Sequence, residues 1–227
     1  MSTEALGYIR EESFLEKLVR SKLFWCLFFL MTFSYPIYRS INRELPLELP
    51  RLGKVPEFTL TNEFGKPFGS KDLEGRIYMA SFMFTSCPTT CPGLIERMKV
   101  AQKRLKGLGQ KVALLSITVD PVYDKPEVLF KYARKTKANP YIWHFLTGER
   151  KDLKSLLIDG FKVPMGDKAP VEGVLGEEKV TLMDIAHTEK LVLVDNEGMI
   201  RGYYSTDKVG MDKLMIDVGL LVNREYQ

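Results

Sequence analysis

The chain has 227 residues, 45% of them hydrophobic and 27% charged, which places it among globular proteins and excludes a disordered chain. Its formal net charge of +4 arises from 33 basic and 29 acidic residues that are interspersed, with no basic stripe to track a phosphate backbone, so the sequence reads as having no nucleic-acid partner. Three cysteines (Cys26, Cys87 and Cys91) are too few for a disulfide scaffold.

Residues 1–22 form a short N-terminal segment. Residues 23–38 carry no charge and lie between Lys22 and Arg39. Extended to residue 41, the apolar stretch spans about 28 Å as a helix, close to the hydrocarbon thickness of a bilayer. Trp25, Tyr35 and Tyr38 suit membrane interfaces, and Lys22 and Arg39 can snorkel. The competing reading is a cleaved signal peptide, but no small-x-small cleavage site follows the run. We therefore read 23–41 as an uncleaved transmembrane signal-anchor, with Cys26 as a small buried residue inside it. The C-terminal domain is then expected in the periplasm of a bacterial inner membrane, with a mitochondrial inner membrane as the other setting; either space is oxidising. Residues 42–54 hold Pro46 and Pro50 and read as an extended linker.

The domain of residues 55–227 follows. Residues 58–60 and 66–68 predict a short hairpin, and 76–85 a buried strand. A helix is predicted over 92–106, with Leu94, Met98, Ala101 and Leu105 on one face and Gly107 as its stop. Residues 112–119 predict a second buried strand, ended by Asp120-Pro121. Pro126 opens a helix running to about 137. A short strand at 141–146 and a helix at 149–160 come next. Residues 164–180, with three glycines and two prolines, read as a loop, with a small hairpin as the alternative. Residues 191–194 and 199–204 flank Asp195-Asn196-Glu197-Gly198, a hairpin signal, and a helix closes the chain over 207–223. This alternation predicts an α/β, thioredoxin-like fold: a central, mostly parallel sheet with flanking helices and an antiparallel edge hairpin, preceded by one transmembrane helix. Ligand sites in such sheets collect at the carboxyl ends of strands, where Cys87 and Asp120 both fall.

Cys87 and Cys91, four residues apart after the first buried strand, can aim both sulfurs at one point, either a metal ion or a disulfide. A helix start favours the thiolate, and thiolates select Cu(I), while imidazole suits copper in both oxidation states. His187, in Asp184-Ile185-Ala186-His187-Thr188, is the candidate third ligand; a histidine at a strand start with no ligand role is the plainer reading of it taken alone. Asp184 either orients His187 or caps a turn. His144 reads as part of a buried strand. Met79, Met83, Met98 and Met183 read as core filler in preference to thioether ligands.

Four ordered motifs carry a resemblance. Phe84-Thr85-Ser86-Cys87-Pro88-Thr89-Thr90-Cys91-Pro92 resembles the cysteine signature of the Sco/SenC family. Residues 116–121 with Asp124-Lys125-Pro126-Glu127, Trp143 with Leu146-Thr147-Gly148, and residues 184–188 are similar to that family's aspartate, tryptophan and histidine segments. The resemblance covers about residues 54–223. It implies a membrane-anchored, thioredoxin-fold copper chaperone holding Cu(I) and Cu(II) through Cys87, Cys91 and His187. It also implies delivery to the binuclear copper centre in the copper-centre subunit of cytochrome c oxidase. The alternative is a membrane-tethered thiol–disulfide oxidoreductase that uses Cys87 and Cys91 as a redox pair to reduce that subunit or another partner. A peroxidase fits poorly because neither cysteine has the proline and hydroxyl spacing of that class. Structural zinc fits poorly because it normally takes four ligands.

Overall fold

The computed structural model describes residues 13–41, 48–87, 91–175, 178–187 and 190–225, of which 40–41, 91–92, 167–175, 178–187 and 225 are described by backbone alone. The chain divides into two units, Met1–Glu48 and Leu49–Gln227.

In the first unit, α1 (Phe14–Arg20) and α2 (Lys22–Ile41) meet at Ser21. Ser13 and Glu16 satisfy each other's backbone N–H groups, which fixes where α1 begins. The Ser21 N–H closes α1 on the Leu18 carbonyl at 3.1 Å, and its hydroxyl accepts the Phe24 N–H at 3.4 Å. The Trp25 indole N–H donates to the Val19 carbonyl at 2.8 Å across the bend. Among the described residues no single helix is long and apolar enough to cross a membrane, whereas α1 and residues 22–39 of α2, bent by 72°, satisfy length and composition together. Lys22 and Arg39, with Ser34, Tyr35, Pro36 and Tyr38, lower the mean hydropathy of α2.

The second unit is a mixed α/β fold. Its strands are β1 (Gly53–Lys54), β2 (Thr59–Asn62), β3 (Pro67–Gly69), β4 (Ile77–Met83), β5 (Val112–Thr118), β6 (Trp143–Thr147), β7 (Met165–Leu175), β8 (Glu178–His187), β9 (Leu191–Val194) and β10 (Met199–Tyr204). Its helices are α3 (Cys91–Arg104), α4 (Pro126–Thr136), α5 (Arg150–Ser155) and α6 (Lys208–Glu225). Eight strands form one sheet in the order β1-β10-β9-β4-β5-β6-β2-β3, and β7 with β8 forms a separate ribbon.

All seven residues of β4 and all seven of β5 are buried, as largely apolar runs in the middle of a two-faced sheet should be. Pro126 fits the first turn of α4, where its missing N–H costs nothing, and Lys137 ends that helix in the left-handed conformation. α6 packs against β4, β10 and α3, while α4 lies on β6.

Three expectations change. The sheet is mixed and not mostly parallel: only β4–β5 and β5–β6 are parallel, and five of its seven pairings are antiparallel. Parallel pairing needs a crossover helix, and only α3 and α4 make one. The stretch after residue 164 takes the hairpin alternative and not the loop, and at far greater length: β7–β8 is a long antiparallel ribbon that holds Pro170 opposite Met183. A two-stranded ribbon leaves one side of each strand unpaired, so proline removes no necessary ladder bond there. The helix of 149–160 is α5 followed by a wider π-turn at Leu156–Gly160.

His144 is buried in β6, as its sequence context predicts, with its ring 4.3 Å from that of Phe68. Its Nδ1 has no hydrogen-bond partner among the described residues. Burial pushes its pKa down to about 4, Arg76 adds to the shift and Asp72 opposes it. An unfolded histidine titrates near 6.5. Below that pH the unfolded chain binds a proton that the folded chain refuses. The stability present above about pH 6.5 is therefore lost as pH falls toward 4, at roughly 1.4 kcal/mol per pH unit from this group. Urea unfolding of His144→Phe across this window should show a shallower fall than wild type; parallel curves would mean that the folded imidazole accepts the proton.

Candidate metal centre

The first sulfur follows from where β4 ends. Met83 pairs with Thr118 in the parallel ladder, and Val119 N–H still donates to the Met83 carbonyl at 2.9 Å. The chain then turns: Cys87 N–H donates to the Phe84 carbonyl at 3.2 Å. Cys87 is 8% exposed, so its thiol lies under the surface of this edge. Cys91 is the first residue of α3, the position where the helix dipole favours an anion.

The histidine precedes a strand that starts at the same edge. β9 runs antiparallel beside β4, with Ala80 opposite Val192 and Tyr78 opposite Val194. The start of β9 therefore neighbours the end of β4. Cys87 lies 87 − 83 = 4 residues beyond the last residue of β4, and His187 lies 191 − 187 = 4 residues before the first residue of β9. His187 is the last residue of β8, paired with Met165, rather than a residue leading into β9; Asp184 pairs with Ala169 in the same ribbon. The backbone thus places the segment leading to Cys87 and the start of β9 at one sheet edge, with the end of β8 four residues ahead of β9. Among residues described with side chains, no group of three His, Cys, Asp or Glu could hold a metal ion; Cys91, Asp184 and His187 are described by backbone alone.

Met79, Met83 and Met98 are fully buried, as core filler should be. Cys26 lies exposed on α2.

A carboxylate that the sequence reading quoted only as part of a motif stands beneath the cysteine turn. Asp124 is fully buried and accepts hydrogen bonds from the Thr85 N–H at 3.0 Å, from the Thr85 hydroxyl, and from the Thr118 hydroxyl at 2.6 Å. Burial raises its pKa; the donors from Thr118 and Thr85 oppose this, and Asp120 adds to it. Thr118 also accepts the Asp120 N–H at 3.0 Å, and Asp124 N–H donates to the Asp120 carbonyl at 2.9 Å. The only sequence signal for this role is an aspartate just ahead of the proline that opens a helix. A second buried carboxylate, Glu63, accepts the Phe145 N–H at 3.1 Å and ties the β2–β3 turn to β6.

Comparison with known proteins points one way. The SCO1/SenC family model matches residues 50–218. A SCO1 protein homolog from Bacillus subtilis is 31% identical over 167 residues, covering 73% of this chain and 81% of the relative. A SCO1/SenC family lipoprotein from Bacillus anthracis superposes with a TM-score of 0.63 at 32% identity, over 74% of this chain and 95% of that one. BsSco, described as a member of the Sco family of cytochrome c oxidase assembly proteins with a disulfide switch, has a TM-score of 0.60 at 29% identity over 77% and 98% of the two chains. Yeast Sco1 with copper bound has a TM-score of 0.58 at 25% identity over 74% and 89%.

Proposed function

This chain belongs to the SCO1/SenC family, and from that premise we propose that it binds copper as cargo through Cys87, Cys91 and His187 and delivers it to the binuclear copper centre of cytochrome c oxidase. The observation that carries this reading is the meeting of the β4 end and the β9 start at one sheet edge. That meeting supports the reading because Cys87 lies four residues beyond β4 and His187 four residues before β9. The donor set fits the cargo: two thiolates suit Cu(I), and an added imidazole accommodates Cu(II). Asp184, three residues before His187, would orient that ligand from outside. Residues 23–41, within α2, would tether the domain to a bacterial inner membrane with residues 49–227 in the periplasm. The partner would be the copper-centre subunit of the oxidase, whose own cysteines would receive the ion by ligand exchange.

A copper titration of the reduced full chain in detergent tests this. One Cu(II) per chain is expected, with a sulfur-to-copper charge-transfer band in absorption and a matching electron paramagnetic resonance signal. Cys87→Ser should abolish the band. His187→Ala should lose most Cu(II) binding yet keep Cu(I) through the sulfurs. Cu(II) binding unchanged in His187→Ala would remove that residue from the ligand set.

One observation favours a second role for the same pair: BsSco, similar over most of the domain, carries a disulfide switch. Reduction of a disulfide in the oxidase subunit by Cys87 and Cys91 is compatible with copper delivery, since only reduced target thiols can accept the ion. Failure of the reduced protein to bind copper stoichiometrically, with thiol exchange intact, would make this the leading role.

A further inference from the structure

We infer that Asp124 is a positioning residue for the cysteine turn: its buried carboxylate holds residues 84–87 in the shape that sets the reactivity and copper affinity of Cys87. This rests on the copper-binding reading above.

The geometry joins three chain segments. Thr85 is the second residue of the turn closed by Cys87 N–H on the Phe84 carbonyl, and it spends both its backbone N–H and its hydroxyl on Asp124. Thr118, at the end of β5, gives its hydroxyl to the same Oδ2 that receives the Thr85 N–H. Asp124 itself is held by its N–H on the Asp120 carbonyl, just before α4. The direction in which the chain leaves β4 is thereby fixed two residues before Cys87.

Removing the carboxylate would strand three donors in a dry site, and something must move to rehydrate them. The sheet is not free to do so. β5 is laddered on both sides, to β4 and to β6, through to Thr118 and Ile117. The turn beyond β4 has no such ladder, so the relaxation falls on residues 84–87 and on Cys87 with them. The loss is thus directed to the site rather than spread over the fold.

The test uses the reduced full chain and two readouts: the rate of Cys87 alkylation by iodoacetamide, resolved by peptide mass spectrometry, and Cu(II) affinity by chelator competition. Asp124→Ala should raise the alkylation rate and weaken Cu(II) binding, each on the order of tenfold. Thr85→Val, which loses one hydroxyl and keeps its N–H, should shift both in the same direction by less. Asp124→Asn keeps an oxygen acceptor and should recover most of both. The control is Asp195→Asn, just beyond the β9 residue that pairs with Tyr78 at the start of β4, and so at the far edge of the sheet from Cys87. It destabilises the fold and should move neither readout. A wild-type alkylation rate in folded Asp124→Ala, or equal shifts in Asp195→Asn, would overturn the inference. Should Asp124→Ala not fold, Thr85→Val decides alone, a wild-type rate there overturning it. If wild type binds no copper, the cargo reading fails, while the alkylation comparison still decides the role of Asp124.

Discussion

Asp195→Ala is expected to cost about 3–5 kcal/mol of folding stability, because it removes a carboxylate that pairs with an almost fully buried guanidinium. Asp195 and Arg201 form an ion pair at 2.9 Å with side chains 2% and 4% exposed. The second Asp195 oxygen accepts the N–H groups of Glu197 at 3.0 Å and Met199 at 2.8 Å, shaping the β9–β10 turn. Arg201 also donates to the Leu49 carbonyl at 2.6 Å, which ties the segment entering the domain to β10. With an m-value of roughly 2 kcal/mol per molar urea, the unfolding midpoint should fall by about 1.5–2.5 M. The double variant Asp195→Ala with Arg201→Met removes both charges. It should lose clearly less than the sum of the two single changes, since no ion is then buried unpaired. Strict additivity would show that the pair contributes no coupling.

Trp143→Ala should cost a similar amount, about 3–5 kcal/mol, through the cavity left by a large, fully buried ring. The ring stacks on Phe145 at a centroid distance of 5.3 Å. Its indole N–H donates to the Ser116 hydroxyl at 3.0 Å; Ser116 meets the Ser81 hydroxyl at 3.0 Å, and Ser81 donates to the Leu115 carbonyl at 2.9 Å. This relay crosses β6, β5 and β4, the last being the strand that delivers Cys87. Trp143→Phe keeps most of the volume and breaks only the first link, so it should cost about 1–2 kcal/mol. Circular dichroism during urea unfolding measures both. Equal losses for Phe and Ala would mean that the hydrogen bond, and not the cavity, dominates.

The parts of the fold legible in the sequence are those set by local chemistry. The largely apolar, uncharged runs of β4 and β5 identified central strands because polar alternation is absent where both faces are covered. Pro126 and the Asp195–Gly198 turn marked a helix start and a hairpin through backbone constraints that need no distant partner. The Cys87 and Cys91 spacing, and the place of both after a strand, were equally plain. The β7–β8 ribbon was not, since glycine and proline weigh against strand in any local reading and only an unpaired edge makes them tolerable. The role of Asp124 was hidden for another reason. One of its partners, Thr118, is six residues away and the other, Thr85, is 39 away, and neither separation has a period that a sequence pattern can reveal.

The sequence by itself determined the central strands and most of the helices around them, and it presented a cysteine pair and one distant histidine as the chemistry worth assembling. Only the tertiary structure decided that β9 lies antiparallel beside β4, that most of the sheet is antiparallel, and that a buried carboxylate grips the cysteine turn. Strand neighbourhood is decided by which faces bury together after long loops close, a balance of packing against chain entropy summed over the whole domain and carried by no single stretch of residues.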